Sequence, residues 1–357
     1  EITCAMICIL LIIMKKLKII ITLFIIVFML DGCDNNKKIR IDKAEKENGI
    51  ETEVSEKGRI TAGAYYVAAL DEKNKIHIAW QTDYTFYAET ENTDWGHIDR
   101  LLKNEEFPLA ISEDEKIIVP KGQSAEELMI AWQDAMRELP EDAVLGNSFI
   151  FDYENAEEIE AWEELRFATG QYPKCMIGVL QNGMLCGAGI DEELLTQILL
   201  WKDIKEVAFL YRGTKIVAID KEGIAYAQGV DVTAWPHIRM VVSGKNMFFG
   251  LTEEGNVVHT DFIFEDDYST EKMHDIVSIA VGYDCKKNQD VIYGIRKDGR
   301  VVDNFGREIK GFENMKEIDV TTIDAILVGL THNNKMIVGE GADENFYTLE
   351  TKYNKDY

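Results

Sequence analysis

Seven short phrases, each a large apolar residue followed three positions later by a second apolar one, recur along this chain and restrict it to a repeat architecture. Five begin with tryptophan: Trp95 to Ile98, Trp132 to Ala135, Trp162 to Leu165, Trp201 to Ile204 and Trp235 to Ile238. Two weaker copies run Met273 to Ile276 and Phe312 to Met315. Successive anchors lie 37, 30, 39, 34, 38 and 39 residues apart. A second column places a small residue between larger ones, at Ala69, Ala110, Gly178, Ala218, Gly250, Gly294 and Gly329. The long gap between Ala110 and Gly178 holds one degenerate copy, led by Trp132. A third column, Gly183, Gly223, Gly255, Gly299 and Asn334, sits where a strand must reverse, and these residue types accept the positive φ that tight hairpins need.

Each unit reads strand, strand, Gly turn, strand, with no convincing long helix. Three or four short strands every 30–39 residues is the rhythm of a propeller blade, because a blade buries its faces only against its neighbours in a ring. The expected fold is all-β, a β-propeller of degenerate repeats with seven blades, spanning residues 57–350. Residues 58–80 are expected to supply a partial unit that helps close the ring; eight blades follow if Val54 begins a full unit. The small column should lie on inner strands, where blades converge, and the tryptophans should fill the gaps between blades. A linear solenoid would have shorter rungs, and a sandwich would lack aligned Trp and Gly columns.

The N-terminal region reads as an address. From Met14 a basic start (Lys15, Lys16, Lys18) leads into the apolar run 19–30, which is too short to span a bilayer but suits a secretory signal. Leu30-Asp31-Gly32-Cys33 resembles a bacterial lipobox, which makes Cys33 the lipidation site and residues 14–32 a lipoprotein signal peptide. Asp31 stands where that motif usually has a small or hydroxylic residue. Residues 1–13 precede a complete signal and read as upstream or misassigned sequence. Residues 33–56 are polar and read as a flexible tether. The expected location is therefore extracytoplasmic, on a membrane through the lipid on Cys33.

A formal net charge of −26 disfavours nucleic acid, whose affinity for proteins comes mainly from Lys and Arg. Among the body cysteines, Cys175, Cys186 and Cys285, no disulfide framework is read. If Asn182-Gly183 forms a two-residue turn, Cys186 faces Val179 rather than Cys175.

The phrases Trp-x-x-Ile, Ala280-Val281-Gly282, Tyr293-Gly294-Ile295 and Lys297-Asp298-Gly299-Arg300-Val301 together resemble the regulator of chromosome condensation repeat in its bacterial form. That resemblance covers roughly residues 54–340, is strongest from Trp162 to Gly339, and implies a propeller, usually of seven blades. The chain departs from it in its short repeats and in the Trp132 unit, which has an acidic run from Asp152 to Glu164 instead of a Gly turn. The nucleotide-exchange role of the founding member does not carry over, because no residue of that surface can be matched.

No catalytic signature is present: no Gly-x-Ser-x-Gly elbow, no His-Glu-x-x-His, no P-loop. Gly187-Ala188-Gly189 is better explained by strand sterics than by a nucleotide. Candidate ligand or ion groups are the acidic clusters containing Asp152, Glu154, Glu157 and Glu158, and Asp266 and Asp267, whose oxygens suit Ca²⁺ although their spacing is not that of a dedicated loop. A solvated acidic face is the favoured reading of both runs, and neither a metal nor a cofactor is expected. Tyr84, Phe86, Tyr87 and Tyr268 stand either as stacking residues in loops or as core. His97, His237 and His274 recur within the repeat phrase, which points to structure or surface.

The expected function is a lipid-anchored binding or scaffold module, monomeric in its body, that recognises a protein or envelope polymer through propeller loops. A carbohydrate-active enzyme with paired carboxylates and a structural spacer in a surface assembly are the alternatives.

Overall fold

In the computed structural model, residues 58–82, 95–105, 107–119, 155–171, 174–210, 214–260 and 268–355 are described, all within the compact unit Glu53–Tyr357. The signal, Cys33, the tether and the Trp132 unit lie outside the described residues. Among the described residues, no helix is long and apolar enough to cross a membrane.

The described strands form seven antiparallel sheets of three strands each, in simple sequence order. They span residues 60–80, 98–118, 165–188, 204–228, 238–259, 276–303 and 315–338, numbered here as blades 1 to 7. The first strand of each blade packs against the first strand of the next, and Met315–Val320 of blade 7 meets Ile60–Ala62 of blade 1. The first strands therefore line the axis, and the ring closes as a seven-bladed β-propeller.

These blades are not quite the set that the tryptophan phrases count. Residues 60–80, expected as a partial unit, form a complete blade, with Ile60 opposite Ala69 and Ala69 opposite His77. It carries no tryptophan phrase because its wedge is filled from elsewhere in the chain. Among the described residues, three helices decorate the ring: α1 (Ala156–Glu160), α2 (Glu192–Ile198) and α3 (Glu344–Tyr353).

The repeat phrase is a turn that feeds the inner strand. The N–H groups of Trp162, Trp201, Trp235, Met273 and Phe312 each bond the carbonyl three residues earlier. The residue just before the aliphatic position is left-handed at Glu164, Asp203, Asp275 and Asn314. That geometry throws the anchor ring sideways into the seam with the preceding blade. Trp95 sits in the seam of blades 1 and 2, Met273 in that of blades 5 and 6, and Phe312 in that of blades 6 and 7. Trp162, Trp201 and Trp235 flank the buried clusters of the three seams between. Filling between blades is thus the role the anchors have.

The small column is on the middle strand rather than the innermost one. A Cβ on Gly250 would lie 2.9 Å from the Trp235 ring, and one on Gly178 would lie 3.1 Å from the Trp162 ring and 2.8 Å from Leu165. The reason for smallness is therefore the blade's own anchor ring lying across the middle strand, not crowding at the axis.

The hairpin turns are one residue longer than the two-residue form. Leu180 N–H bonds Met184 O, and Gly183 (φ +80°) ends a three-residue loop. The extra residue shifts the register, so Cys186 faces Gly178 and Leu185 faces Val179, correcting the expected pairing. Left-handed residues recur at the same turn position: Asn74, Glu115, Gly183, Gly223, Gly255, Gly299 and Asn334. The carbonyls of Gly183, Gly223, Gly255 and Gly299 accept the N–H of Ile204, Ile238, Ile276 and Met315 in the following blade, at 2.8–3.0 Å. One turn therefore both reverses a strand and staples two blades.

Candidate functional site: the axial mouth on the hairpin face

The loops joining first to second strands gather at one end of the axis and surround a cavity of about 500 Å³. Every blade contributes to its wall: Tyr65, Lys103 with Asn104, Lys174, Phe209, Ser243 with Lys245, Tyr283, and Thr322 line it from blades 1 to 7 in turn.

The wall and floor of this mouth are tied together by a partly buried ion pair. Lys103 reaches from blade 2 across to blades 6 and 7, donating to Asp319 Oδ1 (2.6 Å), Val320 O (2.8 Å) and Val281 O (3.0 Å). All three ammonium protons are used, so Lys103 is a structural crossbar. Asp319 in turn accepts the Ala62 N–H at 2.8 Å. Its neighbour Glu317 accepts the N–H groups of Gly58 and Arg59. Inner strands of adjacent blades splay apart and do not form a ladder, so carboxylates satisfy backbone donors that would otherwise be orphaned. Tyr66, fully buried, donates to Asn104 O at 2.9 Å, and burial plus the Asp319 charge push its phenol far above the usual range, keeping it a neutral donor.

The rim is held differently. Asp290, 1% exposed, accepts the N–H groups of Lys245 (2.7 Å), Asn246 (2.8 Å) and Met247 (3.0 Å). Burial pushes its carboxyl up to about 6, outweighing the three donors and the Lys245 charge that favour the ionised form. The Lys245 ammonium stands 4.1 Å over the Tyr283 ring. A chain of strongly negative charge therefore presents, at its axial mouth, Lys174 and Lys245 beside the ion-paired Lys103, with Glu105 as the one carboxylate among the described lining residues.

The paired carboxylates of a glycoside hydrolase have no counterpart among the described residues that line the mouth. Burial pushes the Cys186 thiol up to about 12, which favours the protonated form. Cys175 is buried, Cys285 is exposed at the rim, and none of the described cysteines is in a disulfide.

The predicted ligand groups fall elsewhere. Glu157 and Glu158 are exposed on α1 and do not line the mouth, and no group of three or more His, Cys, Asp or Glu side chains among the described residues is arranged to hold a metal ion. Asp152, Glu154, Asp266 and Asp267 lie outside the described residues, as do Tyr84, Phe86 and Tyr87. Tyr268 packs against the seam of blades 5 and 6, its ring 5.8 Å from Phe249 and 5.5 Å from His259, which makes it a packing residue. His237 and His274 are exposed and bond Glu222 O and Asn256 Oδ1. The sequence reading missed the mouth residues. Their one local signal is position, immediately after each first strand, and no shared residue type marks them.

No family model matches the chain, and no curated protein matches it. Solved structures do share the fold. The WD40 ectodomain of the Arabidopsis thaliana receptor kinase ACR4 aligns over 80% of this chain and 95% of its own length, at 10% identity and a TM-score of 0.49. Prp20p of Saccharomyces cerevisiae, the yeast RCC1, aligns over 83% and 72%, at 10% identity and 0.36. The WD40 propeller domain of Doa1 aligns over 79% and 92%, at 9% identity and 0.43.

Proposed function

We propose that this protein is a binding module, carried outside the cytoplasm on a lipid at Cys33, that recognises a protein or envelope polymer at the axial mouth of its propeller. One observation carries the reading: the hairpin loops of all seven blades converge on a single cavity of about 500 Å³ that presents aromatic rings and lysines. Concave sites lined by rings and a few placed polar groups are where ligands gain both contact area and orientation. The strong negative charge of the chain as a whole then repels competing polyanions everywhere except near these lysines.

The test uses the full chain and the variant Lys245→Glu, altered at an exposed rim residue, as parallel baits against solubilised bacterial envelope. The reading expects at least one component retained by the native chain and lost from the variant. Equal retention by both baits places recognition off the mouth and overturns it. Anchoring is tested separately by fatty-acid labelling in cells, where Cys33→Ser should abolish the label; a label that persists removes the lipid from the proposal.

A further inference from the structure

Among the described residues, six of the seven seams between blades draw on a repeat anchor, and the seventh, between blades 7 and 1, draws on none. In the other six blades, the inner-strand residue opposite the small column lies six positions after the anchor, as Leu101 opposite Ala110 follows Trp95 and Val241 opposite Gly250 follows Trp235. The same count back from Ile60, opposite Ala69, reaches Val54, which has no ring. The seam is filled instead by α3, whose Phe346, Leu349 and Tyr353 are buried among Ile60, Val67, Val328 and Val338. Spacings of three and four residues put these side chains on one helical face.

The helix is hydrogen-bonded to both sides of the seam. Toward blade 1, Tyr353 Oη donates to Leu70 O at 2.7 Å and Asn345 Nδ2 to Trp80 O at 3.0 Å. Asp343, the N-cap of α3, accepts from Thr82 N and Oγ1. Toward blade 7, Asn354 exchanges a pair of bonds with the Met336 backbone, at 2.9 and 3.0 Å. Every other wedge is built into the turn that starts a blade. This one is joined to blade 7 by a short link through Gly341, whose φ is +83° and around which there is open space. A cavity of about 370 Å³ remains between α3 and the outer strand of blade 1, walled by His77, Trp80, Asn345, Thr348 and Lys352.

We propose that the seventh seam is a helix-receiving groove, and that α3 occupies it as a releasable ligand, exchangeable with the α3 of a second copy of this chain. The ligand class is an amphipathic helix with large apolar residues at i, i+3 and i+7, an amide near each end to bond strand carbonyls, and a carboxylate at its N-cap. The ring then opens at this seam first, because it is the one wedge not continuous with a strand.

Hydrogen exchange on the full chain tests this. The expected result is that α3 and the outer strands Ile76–Trp80 and Met336–Val338 lose protection together, before the other six seams. Exchange of α3 no faster than the other wedges overturns the proposal. A labelled synthetic peptide of residues 341–357 should bind the full-length variant Phe346→Ala/Leu349→Ala saturably, and about tenfold or more tighter than the native chain, whose groove is already filled. The same peptide carrying Phe346→Ala and Tyr353→Ala should not bind. Absence of peptide binding by a variant whose other six blades keep native exchange protection sinks the proposal; if the variant does not fold, the exchange order in the native chain decides.

Discussion

Alanine at Gly250 should destabilise the native protein, yet stabilise it once the Trp235 ring is gone. Gly250 is in a middle strand without positive φ, where alanine is ordinarily favoured over glycine by about 0.5–1 kcal/mol because glycine loses more backbone entropy on folding. Against that gain, an added Cβ would come to 2.9 Å from Trp235 Cζ3 and 3.1 Å from Ile238 Cδ1. The isoleucine end can swing; the indole is rigid and held against the seam of blades 4 and 5. Overpacking of this kind costs about 1–3 kcal/mol. The net expectation for Gly250→Ala is a loss of about 0.5–2 kcal/mol, or a few degrees in Tm. In a Trp235→Ala background the clash is absent, so the same substitution should raise stability by about 0.5–1 kcal/mol. Urea denaturation of the four proteins closes a double-mutant cycle with a coupling energy of about 1–3 kcal/mol. An identical cost of Gly250→Ala in both backgrounds would refute the claim that the small column exists to seat the anchor ring.

Three further outcomes follow from the buried polar groups. The Asp290 carboxyl, raised in the folded protein to about 6 from an ordinary 3.8, contributes stability that is full below pH 4 and lost as pH rises through 6. Asp290→Asn should flatten stability between pH 4 and 7 relative to the native chain by on the order of 3 kcal/mol, measured by denaturation at both pH values; parallel pH profiles would contradict it. Lys103→Met leaves Asp319 without its counter-charge and removes a donor from each of two carbonyls, which should cost about 2–4 kcal/mol, reduced from the fully buried range because the lysine is one-third exposed. Adding Asp319→Asn should recover part of that loss, and no recovery would show that the pair is not coupled. Tyr353→Phe removes one buried hydrogen bond to Leu70 O and should cost about 1–2 kcal/mol in denaturant, with slower exchange at the seventh seam as the contrary result.

Much of the ring was legible because propeller turns are local. The left-handed residues Gly183, Gly223, Gly255 and Gly299 stand where the sequence column put them, and Trp95, Trp162, Trp201 and Trp235 lie in or against the seams between blades. Blade 1 was harder to see, since Val54 and Lys57 occupy positions where the other repeats have a large apolar anchor and an apolar partner. The helix α3 was missed outright. Its apolar residues Phe346, Leu349 and Tyr353 are too few for periodicity to stand out, and their partners Ile60 and Val67 are nearly the whole chain away.

What the sequence determined by itself is what a few adjacent residues can enforce: where a strand reverses, where a ring must be thrown sideways, and the period that makes a ring of blades the way to bury them. Tertiary structure alone decided which seven units close, what fills the seam without an anchor, and which residues meet at the axial mouth. Lys103 and Asp319 illustrate the difference. Neither sits in a motif, and their 2.6 Å bond exists because closure brings blade 2 across the axis from blade 7. Local chemistry sets turns, whereas a site at the centre of a ring is made by residues that share nothing in sequence except their distance from the axis.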